Sequence, residues 1–140
     1  MRGRGDSIGR VPEASDNVHV VRAAADAAAK QGLLYSYAVS AESVGARGLC
    51  MHLGTIPPGA VGQAHLHDGH ETAIYVLEGH ARMRYGADLE HEVEVRAGDF
   101  LYIGPGVPHE PRNASDTEPV RFIAARTDPR EQESVVLFDR

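Results

Sequence analysis

The chain has 140 residues, enough for one ordinary domain and too few for a second full core. A formal net charge of −6 argues against a nucleic-acid surface or an anionic-membrane patch as its main business. With Cys50 as the one cysteine no intrachain disulfide can form, so a buried core must do the stabilising.

Residues 1–16 are polar, Gly-rich and aperiodic, and read as a flexible N-terminal arm ahead of one domain over residues 17–140. No apolar run follows the first arginines. Neither a secretory signal nor a transmembrane span is expected, and the expectation is a soluble cytoplasmic protein. Residues 18–22 are β-branched and strand-like. Residues 23–30 are Ala-rich and predict one or two helical turns packed on the body.

From Leu33 onward the pattern is strands. They are predicted over 34–41, 49–56, 74–77, 81–85, 90–95, 100–103, 109–113, 120–125 and 135–138. Turn signals separate them: Pro57-Pro58-Gly59, Asp68-Gly69, Gly79, Gly86, Gly98-Asp99 and Gly104-Pro105-Gly106. Short strands at this spacing predict an all-β sandwich or barrel. Cys50, in an apolar stretch, is expected to be a buried small side chain.

The eight histidines are unevenly placed. His19, His80 and His91 are scattered and read as ordinary surface or core residues. His52 sits on a strand that could line an interior. His65 and His67 are two apart, so in a strand both imidazoles aim at one point, as two ligands of one ion must. Asp68-Gly69 is a strong hairpin signal. A hairpin there would make His67 and His70 cross-strand neighbours and add His70 to the site. His109 would have to arrive from a neighbouring strand.

These residues carry a resemblance to the cupin superfamily. Gly59, His65-Leu66-His67, Glu71 and Gly79 resemble the first cupin motif. Gly98, Gly104-Pro105-Gly106, His109 and Asn113 resemble the second. The resemblance implies a single-domain jelly-roll β-barrel with a short arm and a minor helix, one interior metal ion, and pairing into a homodimer. One departure matters. Counted back from Gly79, the usual ligand Glu position holds Thr72, and Glu71 comes one place early. One place in a strand is the opposite face. Parity therefore favours His70 over Glu71 beside His65, His67 and His109, and only a β-bulge would turn Glu71 inward. A turned-away Glu71 would orient a ligand or form a plain salt bridge. Neutral imidazoles suit zinc, with iron, nickel or copper as alternatives, and disfavour magnesium or calcium.

Within the superfamily, His65-Leu66-His67-Asp68-Gly69-His70-Glu71-Thr72 and Tyr75-Val76-Leu77-Glu78-Gly79 resemble the small cupins that act as cyclases in bacterial aromatic polyketide biosynthesis. That resemblance implies an aldol-type ring closure of a poly-β-keto chain, an apolar or aromatic small-molecule substrate. A metal-bound hydroxide, His52 or Glu71 would remove the proton, and Met51, Met83, Phe100, Tyr102 and Ile103 would wall the cavity. An oxygen-activating dioxygenase, a sugar or small-ligand isomerase and a non-catalytic binding module are the competing expectations.

Overall fold

The structure, a computed structural model, describes residues 17–22, 25–132 and 134–138. In chain order its strands are β1 (Ala27–Ala28), β2 (Leu34–Val39), β3 (Cys50–Ile56), β4 (His65–His67), β5 (Thr72–Glu78), β6 (His80–Tyr85), β7 (His91–Arg96), β8 (Phe100–Ile103), β9 (His109–Asn113), β10 (Val120–Arg126) and β11 (Val135–Leu137). They form two antiparallel sheets, one ordered β1-β2-β3-β10-β5-β8 and the other β11-β4-β9-β6-β7. Alternation explains the layering. Along β10 Val120, Phe122, Ala124 and Arg126 are buried and the residues between are half-buried. Val76, Val120, Phe122 and Ala124 from one sheet pack with Ala81 and Val95 from the other, so the core lies between the sheets, as in a jelly roll.

Two close fits hold this core in register. Gly54 is the cross-strand partner of Phe122, and a Cβ at Gly54 would overlap the Phe122 ring. Glycine there leaves room for the ring against β3. Asn113 is buried, and its Nδ2 donates to the carbonyls of Ile56, Pro57 and Glu118 at 3.0, 3.1 and 2.8 Å. Its Oδ1 accepts from the Ser115 amide at 2.8 Å, so one side chain pins the ends of three segments.

Three expectations need correction. Residues 23–30 hold no helical turn among those described; Ala27–Ala28 is instead a short strand paired to Leu34 and Tyr35. The pull of a free sheet edge outweighs a few residues of alanine propensity. The minor helix is α1 (Ala41–Val44), capped by the Ser40 hydroxyl and closed by Gly45 in the left-handed region. Residues 18–22 join no sheet, and Val18 and Val20 are exposed. The expected arm, residues 1–16, lies outside the described residues.

The third correction concerns Asp68-Gly69. The chain does turn there: Gly69 has a φ of +74° and the His70 amide donates to the His67 carbonyl at 3.5 Å. It is not a hairpin, because β4 and β5 lie in different sheets. β4 pairs with β11 on one side and β9 on the other. The turn carries the chain across the sandwich, so His67 and His70 are not cross-strand neighbours.

Candidate metal centre

His65 and His67 occupy alternate inward positions of β4, as their spacing requires, and β9 sets His109 opposite His65. The ring centroids of His65 and His109 are 4.2 Å apart, those of His65 and His67 5.1 Å, and those of His67 and His109 5.6 Å. One nitrogen from each ring lies within 4.8 Å of the other two. All three side chains are buried.

Backbone geometry selects the ligand atom. His65 Nδ1 lies 2.8 Å from the Gln63 carbonyl and His109 Nδ1 lies 2.9 Å from the Val107 carbonyl. A carbonyl only accepts, so Nδ1 carries the proton in both rings and Nε2 keeps its lone pair. His67 Nδ1 is buried without a hydrogen-bond partner. Burial holds all three rings neutral. It lowers the His65 pKa to about 3, with the His109 charge adding to the effect, and the His109 pKa to about 4. His67 is pushed down furthest, by burial and then by the Arg126 charge. Three neutral imidazoles with free lone pairs, one with an orphaned nitrogen, form a cluster suited to a divalent metal ion.

The opposite sheet supplies a different group. Arg126, the last residue of β10, is 3% exposed. Its Nε donates to Thr72 Oγ1 at 3.4 Å and its Nη1 lies 4.0 Å from Cys50 Sγ. Together with His65, His67, His109 and Thr72 it lines an interior cavity of about 60 Å³, otherwise walled by apolar side chains such as Val76, Met83, Ile103 and Phe122. Met83, Leu101 and Ile103 also form the inner wall of an outer depression of about 270 Å³ that extends to Tyr85, Tyr102 and Val107.

The segment that carries this site, residues 52–126, matches the cupin domain family over more than half of the chain. The chain belongs to the cupin family. Among curated proteins none matches this cupin. Solved structures agree on the fold. A single-residue mutant of Bacillus subtilis oxalate decarboxylase matches with a TM-score of 0.66 at 24% identity, over 76% of this chain and 28% of that one. A second structure of that enzyme, concerned with its Mn(II) centres, gives 0.69 at 21% identity, over 82% and 30%. An uncharacterized Klebsiella pneumoniae protein with a double-stranded β-helix domain gives 0.64 at 17% identity, over 94% and 98%. This cupin therefore spans under a third of the oxalate decarboxylase chain, and identities this low speak for the fold alone.

The remaining sequence-predicted residues separate clearly. His70 stays outside the histidine cluster, because the crossover takes it toward β5. Its charge acts instead on Asp128. Burial works to raise that carboxyl's pKa, but the Arg130 amide, which donates to Oδ1 at 3.0 Å, and the His70 and Arg130 charges hold it below the usual range. Glu71 is exposed and accepts a hydrogen bond from the Tyr102 hydroxyl at 2.9 Å. It faces away from the ring cluster, as parity requires without a bulge at that point. The inward neighbour is Thr72, on β5.

His52 does lie inside, 1% exposed, tilted against Tyr35 and Tyr37 with ring centroids 4.2 and 5.0 Å away. Neither of its nitrogens has a hydrogen-bond partner. Burial and then the Arg126 charge lower its pKa to about 3, which makes it a weak base as it stands. Of the expected wall, Met83 and Ile103 are buried at the cavity, while Met51, Phe100 and Tyr102 are exposed. Alternation explains the split: Cys50 and His52 take the inward places of β3, and Leu101 and Ile103 those of β8. His80 and His91 lie near Glu94 and Glu90 at 3.4 and 3.9 Å, ordinary surface placements. Cys50 is buried, as expected.

Sequence reasoning missed Arg126. The predicted strand stopped at Ala125, one residue short. Extending the alternation of Val120, Phe122 and Ala124 by one step would have placed Arg126 on the inward face.

Proposed function

We propose that this cupin is a metal-dependent enzyme that activates a carbonyl group, with His65, His67 and His109 as the protein ligands. The observation that carries the reading is the pair of Nδ1–carbonyl hydrogen bonds that turn the lone pairs of His65 and His109 toward a shared point beside His67. A divalent ion held there supplies Lewis acidity for a carbonyl or enolate oxygen. The chain's own contribution is to fix the ligand tautomers and keep the site dry. Val76, Met83, Ile103 and Phe122 exclude water and so strengthen every charge interaction inside.

The donor set contains no carboxylate, which favours zinc, then iron, nickel or copper, over the manganese named for oxalate decarboxylase. The finer reading is aldol-type closure of a poly-β-keto chain. The inner cavity of about 60 Å³ is small beside the ~300–1,000 Å³ of sites for drug-sized ligands, and it suits a single dicarbonyl unit. The adjoining apolar depression of about 270 Å³ supports this reading, since the rest of a longer chain would lie there. Movement of Met83, a flexible side chain on the shared wall, would join the two spaces.

The test is to load the purified protein with Zn(II), Fe(II), Ni(II) and Mn(II) separately and assay 1,3-dicarbonyl substrates for proton exchange at the central carbon. Zinc-supported exchange without oxygen consumption is the expected result. Activity confined to iron and coupled to oxygen uptake would replace the reading with a dioxygenase, and absence of metal uptake would end it. A homodimer belongs to the same proposal, and gel filtration at micromolar concentration showing a monomer would remove it.

A further inference from the structure

Arg126 is a buried cation that forms no ion pair with a carboxylate among the described residues. A guanidinium keeps its charge on burial and offers five donors in a planar fork. Among the described residues its polar contacts are one hydroxyl, Thr72 Oγ1 at 3.4 Å, and one sulfur, Cys50 Sγ at 4.0 Å. Neither is a carboxylate, and both contacts are long. An uncompensated charge at 3% exposure is costly, so a fold that retains it needs an acceptor to complete it.

The surroundings say what kind. Arg126 lines the same cavity as the three histidines, and its charge acts on His52, His65, His67 and His109. Every titratable group in that set is neutral or positive. His52 adds two buried nitrogens without partners on the neighbouring strand, where its cross-strand partner is Ala124, two places before Arg126. The cavity lining therefore holds the guanidinium hydrogens without a carboxylate of its own; the Asp128, Glu131 and Glu42 charges act on Cys50, at the Nη1 end of the fork.

We infer that Arg126 is the anchor for a carboxylate on the substrate, held in a bidentate fork while the reacting carbonyl faces the three histidines. The inference rests on the proposed carbonyl chemistry for the identity of the reacting group, but not for the anion itself. Thr72 holds Nε and Cys50 meets Nη1 over a long contact, which leaves Nη2 and the second hydrogen of Nη1 for the ligand. The substrate class is then a small oxo acid, or a chain whose acid end enters first.

Malonate is a suitable probe, with malonamide as its neutral counterpart, and calorimetry on the zinc-loaded protein measures both. Malonate should bind at least about tenfold more tightly than malonamide. Arg126→Gln should weaken malonate about thirtyfold or more, as expected when one partner of a buried charge pair is removed. It should leave malonamide affinity and metal content unchanged. Arg126→Lys keeps the charge without the fork and should lose several-fold; it carries the test if the Gln variant does not fold. Malonate affinity unchanged in either folded variant, or malonamide binding as tightly as malonate, overturns the inference. The same titration on metal-free protein separates the two proposals. Malonate binding that depends on Arg126 there upholds the anion site even if no metal is taken up.

Discussion

His65 and His109 are direct register partners across β4 and β9, and each bonds through Nδ1 to the carbonyl two residues before it. The two halves of the centre thus repeat one device: a backbone carbonyl at i−2, just ahead of the strand, fixes the tautomer of the ring at i. His109→Ala should therefore remove a ligand without disturbing the β4 side. Metal content, measured by elemental analysis, should fall from about one ion per chain to near zero. The gain in melting temperature that added metal gives the parent protein should vanish with it.

The buried rings make stability depend on pH. His52, His65 and His109 have folded pKa values of about 3, 3 and 4, against about 6.5 when unfolded, and His67 is lowered further. Below pH ~6.5 the unfolded chain takes up protons that the folded chain refuses, so stability is complete above that value and falls as the pH drops toward 4. Each ring contributes a slope of about 1.4 kcal/mol per pH unit in that window. Several rings together would exhaust a stability of ordinary size, ~5–15 kcal/mol, within one to three units. Urea melts of the metal-free protein at pH 7, 6 and 5 should show a steep loss; a flat profile would contradict the neutral-ring description.

Glu71 offers a contrast. It is exposed and bonded to Tyr102 outside the cavity. Glu71→Ala should leave metal content unchanged and shift stability by no more than about 0.5 kcal/mol. A loss of metal in that variant would place the carboxylate inward after all.

Gly54 and Phe122 share one volume. Gly54→Ala should cost about 1–3 kcal/mol by overpacking, read from chemical denaturation. Adding Phe122→Leu should recover part of that loss, because the smaller side chain vacates the contested space.

Asn113→Ala removes four hydrogen bonds and leaves buried carbonyls unmet. A loss of about 2–4 kcal/mol is expected, with metal stoichiometry retained in the folded fraction. That pattern, the reverse of the one for His109→Ala, separates a structural residue of the second motif from a ligand of the same motif.

Most of the strands were legible because alternation is local: Met83 and Val95 announced their faces without reference to anything distant. The pair His65 and His67 was legible for the same reason, and His109 through its motif. The placement of His70 was not. Asp68-Gly69 encodes a turn, but whether the next strand folds back or crosses to the other sheet depends on partners far away, here β9 and β11 for β4. Residues 23–30 failed similarly, since a neighbouring edge strand overrode a weak local preference. Arg126 was hidden by a boundary error of one residue, at the strand end where local pattern is weakest.

The crossover after His67 leaves the three rings on one layer of the sandwich and the guanidinium on the other. A molecule that touches both poles becomes a tie beam between layers that otherwise meet through apolar packing and the Asn113 hydrogen bonds. Occupancy and the spacing of the two sheets are then one mechanical variable. Amide protons along β5 and β10 would report it by slowing their exchange when that beam is in place.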